Sequence, residues 1–302
     1  MAPQNAPRYV HRWRDAGSLQ PFDASRARMF GFLFEGRRDA LVDLCERHLN
    51  RDPTGQLAFE PVTHHVLVTF ADIAWVTATL PPFRDYGGNP EIEMTAWVLV
   101  RERGTVLPKL FAPYCLVNNP LAVQHGREIY GFPKEMAQFP DWSEDAFRVE
   151  AYAFDVFKPT TVGKQRHVLS VTRERSTIGD LVREFSHPFE LAAELVPHLL
   201  DVLPKTLWPP HGPLVFLKQL PDAADSTWAS YQAIVEADIA VTHVSSVQWR
   251  PGTFVLTLGG CASHPFEDDL GVASGAEAVV NFSVDFDFHL AAGKELWRAG
   301  AR

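Results

Sequence analysis

The sequence predicts a mainly β (α+β) fold, an antiparallel barrel or sandwich with a few peripheral helices. Three observations carry this expectation. Strand-length apolar runs follow one another through residues 29–172 and 213–290, separated by turn residues such as Tyr86-Gly87-Gly88-Asn89-Pro90. The segment VVNFSVDFDFHL (279–290) alternates, with Val280, Phe282, Val284, Phe286, Phe288 and Leu290 on one face and Asn281, Ser283, Asp285, Asp287 and His289 on the other, as a half-buried strand requires. No repeat period appears, which argues against solenoids and propellers.

In chain order, residues 1–7 are expected to form a flexible tail and 8–302 a single domain. MFGFLF (29–34) reads as a buried strand. Asp39 is the expected cap of an amphipathic helix bearing Leu41, Leu44, Cys45 and Leu49. Strands are expected at HHVLVTF (64–70), EIEMTAWVLV (91–100), KLFAPYCLV (109–117), FRVEAYAFDVF (147–157) and HVLSVT (167–172). Thr177 with Asp180, followed by Leu191, Leu195, Leu199 and Val202, predicts a helical insertion at about 177–204. Strands resume after the Pro-rich connector 203–213, and Arg250-Pro251-Gly252-Thr253 is the expected turn of a hairpin joining THVSSVQW to TFVLTLGG.

A formal charge of −9 without a basic run argues against nucleic acid. No stretch resembles a secretory leader or a membrane-spanning helix, so a soluble, cytoplasmic protein with a small-molecule partner is expected. Three widely spaced cysteines, Cys45, Cys115 and Cys261, do not suit a disulfide framework. The signatures G-x-G-x-x-G, P-loop, H-E-x-x-H and G-x-S-x-G are absent.

Asp285, Asp287 and His289 share a strand face and offer a cation two oxygens and a nitrogen, although a wet sheet face produces the same pattern. Cys261-Ala-Ser-His264 has ligand-like spacing but lacks a second ligand pair. Adjacent His64 and His65 in a strand must point to opposite faces and so cannot share an ion. Glu91 and Glu93 lie on one face with Thr95 and Trp97. At a solvated strand end they are ordinary surface charge; inside a barrel, at least one would have a raised pKa fit for proton transfer.

GREIYGFPKEMA (126–137) sets Lys134 among Tyr130, Phe132 and Met136. The ordinary explanation is a lysine stem lying over apolar neighbours with its head in water. If the amine is desolvated, its pKa falls, and a neutral nucleophile needs about 4–5 kcal/mol of differential destabilisation to exist near pH 7.

Gly126-Arg127-Glu128 followed by Gly131-Phe132-Pro133-Lys134 resembles the Schiff-base lysine segment of the acetoacetate decarboxylase family. Asn118-Asn119-Pro120-Leu121-Ala122, PLVFLKQLP (213–221) and SHPFEDDLGV (263–272) resemble further islands of that family, so the likeness spans nearly the whole chain. It implies an acetoacetate decarboxylase-type barrel that needs no cofactor beyond a covalent lysine imine and assembles as a homo-oligomer. Lys134 falls on the iminium-forming amine, Glu93 on the active-site glutamate with Glu91 as the alternative, and Arg28, or Arg26, on the arginine that holds a carboxylate. Tyr130, Phe132 and Met136 are the expected substrate contacts.

The family's other acidic position lands on Ala71 or Asp72, and Glu135 replaces a second lysine that shorter members carry and that lowers the nucleophile's pKa. The implied reaction is decarboxylation of a 3-oxo acid. Its alternatives are aldol condensation and dehydration through a pyruvate-derived enamine, and a non-catalytic binding protein on the same fold.

Overall fold

The computed structural model describes residues 9–10, 19–140, 142–143, 148–155, 160, 162–174, 212–250 and 252–300. The expected tail at 1–7 and the helical insertion at about 177–204 lie outside these residues. The strands are β1 (Phe22–Glu35), β2 (Phe59–Ala78), β3 (Asn89–Glu102), β4 (Pro108–Val117), β5 (Lys134–Gln138), β6 (Trp142–Ser143), β7 (Arg148–Phe154), β8 (Gln165–Arg173), β9 (Gly212–Pro221), β10 (Ala229–Trp249), β11 (Phe254–Leu258), β12 (Val280–Leu290) and β13 (Lys294–Arg298). Helices α1 (Arg38–His48), α2 (Pro120–His125) and α3 (Phe266–Leu270) are short, and none of the described helices could cross a membrane.

The strands form one mixed sheet in which β4, β3, β2, β1, β12 and β10 pair in that order, all antiparallel. Strand β9 then pairs with β10 along its length and, in parallel, with β4 through Leu110–Leu214 and Phe111–Val215. The ring therefore closes on itself with seven strands, which removes the exposed edges that an open sheet would carry. From β4 the sheet also branches into a wing, β5-β7-β8-β11, whose first pairing, β4 with β5, is parallel. The longest strands, β2 and β10, bend around the barrel at register shifts between Pro61 and Val66, Ile73 and Val76, Val241 and His243, and Val244 and Ser246.

The main core is one cluster of buried residues drawn from α1, the barrel strands and the wing. Leu41, Leu44 and Cys45 of α1 meet Phe34, Phe59, Phe70, Leu169 and Phe254, all 2% exposed or less. Burying each large side chain contributes roughly 1.5–3 kcal/mol. A second cluster, Tyr130, Phe132, Leu214, Phe216 and Leu290, forms beside the turn that carries Lys134.

Two local expectations are corrected. Asp39 does not cap α1: the capping position is Arg37, with no side-chain cap bond, and Asp39 sits in the first turn, where its charge suits the helix dipole. Among the described residues, β10 and β11 do not pair with each other as a hairpin. Trp249 pairs with Phe282 of β12, while β11 joins β8, with Phe254 opposite Arg173. Burial outcompetes the turn chemistry, because pairing with β8 leaves Phe254 and Leu256 at 2% and 0% exposure.

Candidate active site

The segment around Lys134 is shaped by its turns. Asn119 caps α2 by accepting the Leu121 N–H at 2.9 Å, with Pro120 in the first helical position. The helix runs into a π-helical turn, Gly126–Tyr130, where the N–H groups of Gly131 and Phe132 both donate to the Gly126 carbonyl, at 2.9 and 3.0 Å. Gly131 ends the turn at φ 93°, and a Cβ there would lie 2.6 Å from Lys218 Cα, so glycine is required twice over. The Tyr130 hydroxyl donates to the Ala291 carbonyl at 3.0 Å, and Phe132 packs on Phe216 with centroids 4.0 Å apart. Lys134 then opens β5 opposite Cys115. Its side chain passes over Gly126, where a Cβ would lie 2.7 Å from Lys134 Cδ.

That side chain enters a cavity of about 770 Å³, counting its open mouth, lined by residues of six of the seven barrel strands (β1, β2, β3, β9, β10 and β12), of α2 and of the Lys134 turn. Lys134 Nζ donates to Glu91 Oε1, lies 3.3 Å from Glu93 Oε2 and sits 5.4 Å from the centre of the Phe132 ring. The three charged side chains are 12%, 7% and 17% exposed. Desolvation disfavours both kinds of charge here, and the outcome depends on what each faces. Burial, reinforced by Glu93, pushes the Glu91 carboxyl up to about 7, against the pull of Lys134. For Lys134, burial favours the neutral amine, but the attraction of Glu91 and Glu93 outweighs it and leaves the pKa above its ordinary value. The expectation that desolvation alone would free the amine is therefore corrected: the proton is held by a carboxylate pair, one member of which titrates near neutrality. Cys115, also buried, is raised by desolvation and by Glu93, 3.9 Å from its Sγ.

The structure thus brings Lys134, Glu91, Glu93, Tyr130 and Phe132 together on one cavity wall. Between the two glutamates, Glu91 makes the closer contact with the amine, although the family pattern pointed first to Glu93.

Arg28 and Met136 do not line the cavity. Arg28 pairs with Asp285, Nε to Oδ1 at 2.7 Å, and stands opposite Asp72 in the sheet. A bulge between Ala24 and Ala27, with Arg26 at φ 54°, places an extra residue in β1. Ala24 and Ala27 take the buried positions as a result, and Arg26 is exposed. Ala71, rather than Asp72, pairs with Glu93 and is buried. Met136, one full alternation along β5 from Lys134, is 42% exposed. Glu135 turns the other way, 3.3 Å from His264 Nε2 of the His-Pro segment, so it does not oppose the lysine.

Sequence reading missed Phe22, Ile73, Val76, Asn89, Asn119, His125, Leu214 and Ile239, all lining residues. Trp97, Phe288 and Leu290 were placed on the right faces by alternation, but their meeting in one cavity depends on barrel closure.

The proposed metal face dissolves into pairs: Asp285 with Arg28, Asp287 accepting the Arg26 N–H at 2.6 Å, and His289 with Asp23 at 2.7 Å. Cys261 Sγ and His264 are likewise engaged elsewhere, with the His167 carbonyl and with Ser263 and Glu135. His64 and His65 are not on opposite faces, because the register shift after Pro61 turns both rings to one side. Their rings lie tilted against each other with centroids 4.2 Å apart near Glu35, and ligand atoms of the three residues are within 4.8 Å of one another. All three cysteines are free and buried.

The decisive comparison is with the family profile described as acetoacetate decarboxylase (ADC), which matches residues 20–298. The chain belongs to the acetoacetate decarboxylase family. No curated protein matches its sequence. Among solved structures it is similar to acetoacetate decarboxylase from Legionella pneumophila subsp. pneumophila str. Philadelphia 1, with a TM-score of 0.63 and 17% identity over 97% of this chain and 92% of that one. It is also similar to the enduracididine biosynthesis enzyme MppR complexed with pyruvate, with a TM-score of 0.53 and 16% identity over 92% and 91%. A third neighbour is an acetoacetate decarboxylase-like enzyme from Sphingomonas wittichii RW1, with a TM-score of 0.58 and 11% identity over 92% and 94%. These likenesses establish the acetoacetate decarboxylase fold, and at such identities the local chemistry has to be argued from this chain's own residues.

Proposed function

We propose that the protein is a cofactor-independent Schiff-base lyase whose nucleophile is Lys134 and whose substrate is a 3-oxo acid. The observation that supports this reading most is the contact between Lys134 and Glu91 inside a largely apolar cavity, in a chain of this family. As the substrate carbonyl approaches, Lys134 passes a proton to Glu91, whose raised pKa makes that uphill transfer less costly than it would be to an ordinary carboxylate, and the free amine adds to the carbonyl carbon. Loss of the carbinolamine oxygen as water, with a proton returned by Glu91, gives the protonated imine.

The bond to the carboxylate then breaks, and its electron pair flows into the iminium to form a neutral enamine as CO₂ departs. Glu91, having taken up a proton from solvent, protonates the enamine carbon, and water hydrolyses the resulting protonated imine to ketone and the ammonium form of Lys134, so that one proton is consumed for each CO₂ released. Near the reacting centre the carboxylate faces two glutamates and apolar walls, so the anionic ground state is disfavoured relative to a transition state that spreads its charge.

A second reading, aldol condensation and dehydration from a pyruvate enamine, draws on the same Glu91, which could remove and return protons near neutral pH. Assaying CO₂ release from 3-oxo acids beside condensation of pyruvate with aldehydes separates the two. Turnover of 3-oxo acids that disappears in Lys134→Met supports decarboxylation. Condensation alone supports the second reading, and neither activity leaves a binding protein.

A further inference from the structure

We infer that the cavity selects oxo acids whose keto carbon bears a bulky apolar group, an alkyl chain or aryl ring, over those bearing a methyl group. This rests on the Schiff-base reading of Lys134 and adds the substrate class.

The sheet register arranges the lining in tiers away from the lysine. Glu91 pairs with Ile73, which pairs with Ala27, which pairs with Phe286. The next tier joins Asn89, Val76, Ala24 and Phe288. Beyond it, Phe22 pairs with Leu290, which pairs with Ile239. From the Glu91 tier to the Phe22 tier is four residues of β12, or about 13 Å of strand. Side chains of all three tiers border the same cavity, so the space continues past the reactive amine between walls that are apolar apart from Asn89.

Two features keep it open. Ala24 and Ala27, brought to the buried face by the β1 bulge, are small where a long side chain would fill the barrel. Among the described residues, moreover, Lys134 is the one Lys or Arg that lines the cavity. With Glu91 and Glu93 also present, a second anionic or strongly polar substituent would find no cation to meet it, whereas an apolar one would replace water on Val76, Phe288 and Leu290. Each methylene buried there is worth roughly fourfold in binding.

The test is reductive trapping of the full chain with borohydride at increasing concentrations of acetoacetate, 3-oxooctanoate and 3-oxo-3-phenylpropanoate, read as the concentration giving half-maximal adduct. We expect the two larger acids to need at least tenfold less than acetoacetate. Val76→Trp, and independently Ile239→Phe, should shrink that ratio severalfold, and two positions guard against one variant failing to fold. Adducts forming equally well or better with acetoacetate overturn the inference and leave the Schiff base standing. No adduct with any acid overturns both.

Discussion

Lys134 Nζ and Glu91 Oε1 are hydrogen-bonded on the inner wall of the barrel, with Glu93 only 3.3 Å from the same amine. Three buried ionisable groups thus share one site with an excess of negative charge, and that excess gives the site its expected behaviour.

The first consequence is a pH profile. Glu91 takes up a proton near pH 7 in the folded protein and at its ordinary value of 4.5 when unfolded. Below about 7, Lys134 has lost its nearest proton acceptor, so iminium formation should rise as pH increases through 7. Glu91→Gln should remove that acid limb and slow turnover by about 10²–10⁴. Stability runs the other way. Because the native state holds the extra proton, the Glu91 contribution is fully present below 4.5 and is lost as pH rises to about 7. The difference in urea midpoint between wild type and Glu91→Gln, followed across that window, checks the sign.

Replacing the lysine should be costly to the fold. Lys134→Met leaves Glu91 and Glu93 buried without their cation, which should cost about 3–5 kcal/mol at pH 8. The loss should shrink at pH 5, where Glu91 is protonated. Denaturant unfolding at both pH values reads this directly.

Gly126→Ala tests how the amine is aimed. The residue sits at φ −58°, so alanine strains nothing in the backbone, yet its Cβ would lie 2.7 Å from Lys134 Cδ. The Lys134 side chain must shift, and a misplaced reactive group loses on the order of 10²-fold in rate. Turnover should fall by that order while the melting temperature changes little.

Arg28→Ala should have almost no effect on substrate. Its ion pair with Asp285 is 40% and 31% exposed and worth under about 1 kcal/mol. A concentration dependence of trapping within twofold of wild type is expected, whereas a large increase would mean that Arg28 reaches the substrate carboxylate.

The β class, most strand positions and the residues on each face of β3 and β12 were readable because alternation is a local property of the chain. The apolar neighbours of Lys134 were readable too, because Tyr130 and Phe132 stand beside it in the chain. What failed is non-local or depends on one inserted residue. The bulge at Arg26 shifts β1 so that two alanines, not an arginine, face inward, and nothing in SRARM announces it. The bulge after Pro61 brings two histidines together that a regular strand would separate. The pairing of β11 with β8 is decided by a core assembled from distant segments. The direction of the Lys134 shift depends on how near Glu91 and Glu93 come, a distance fixed only when β3, β4 and β5 are side by side.

The measurement closest to the centre of this account is mass spectrometry of the protein after borohydride reduction with a 3-oxo acid, wild type beside Lys134→Met. One stoichiometric adduct, mapped to Lys134 and missing from the variant, is the predicted result. Reduction that labels no lysine, or labels the variant equally, would contradict it.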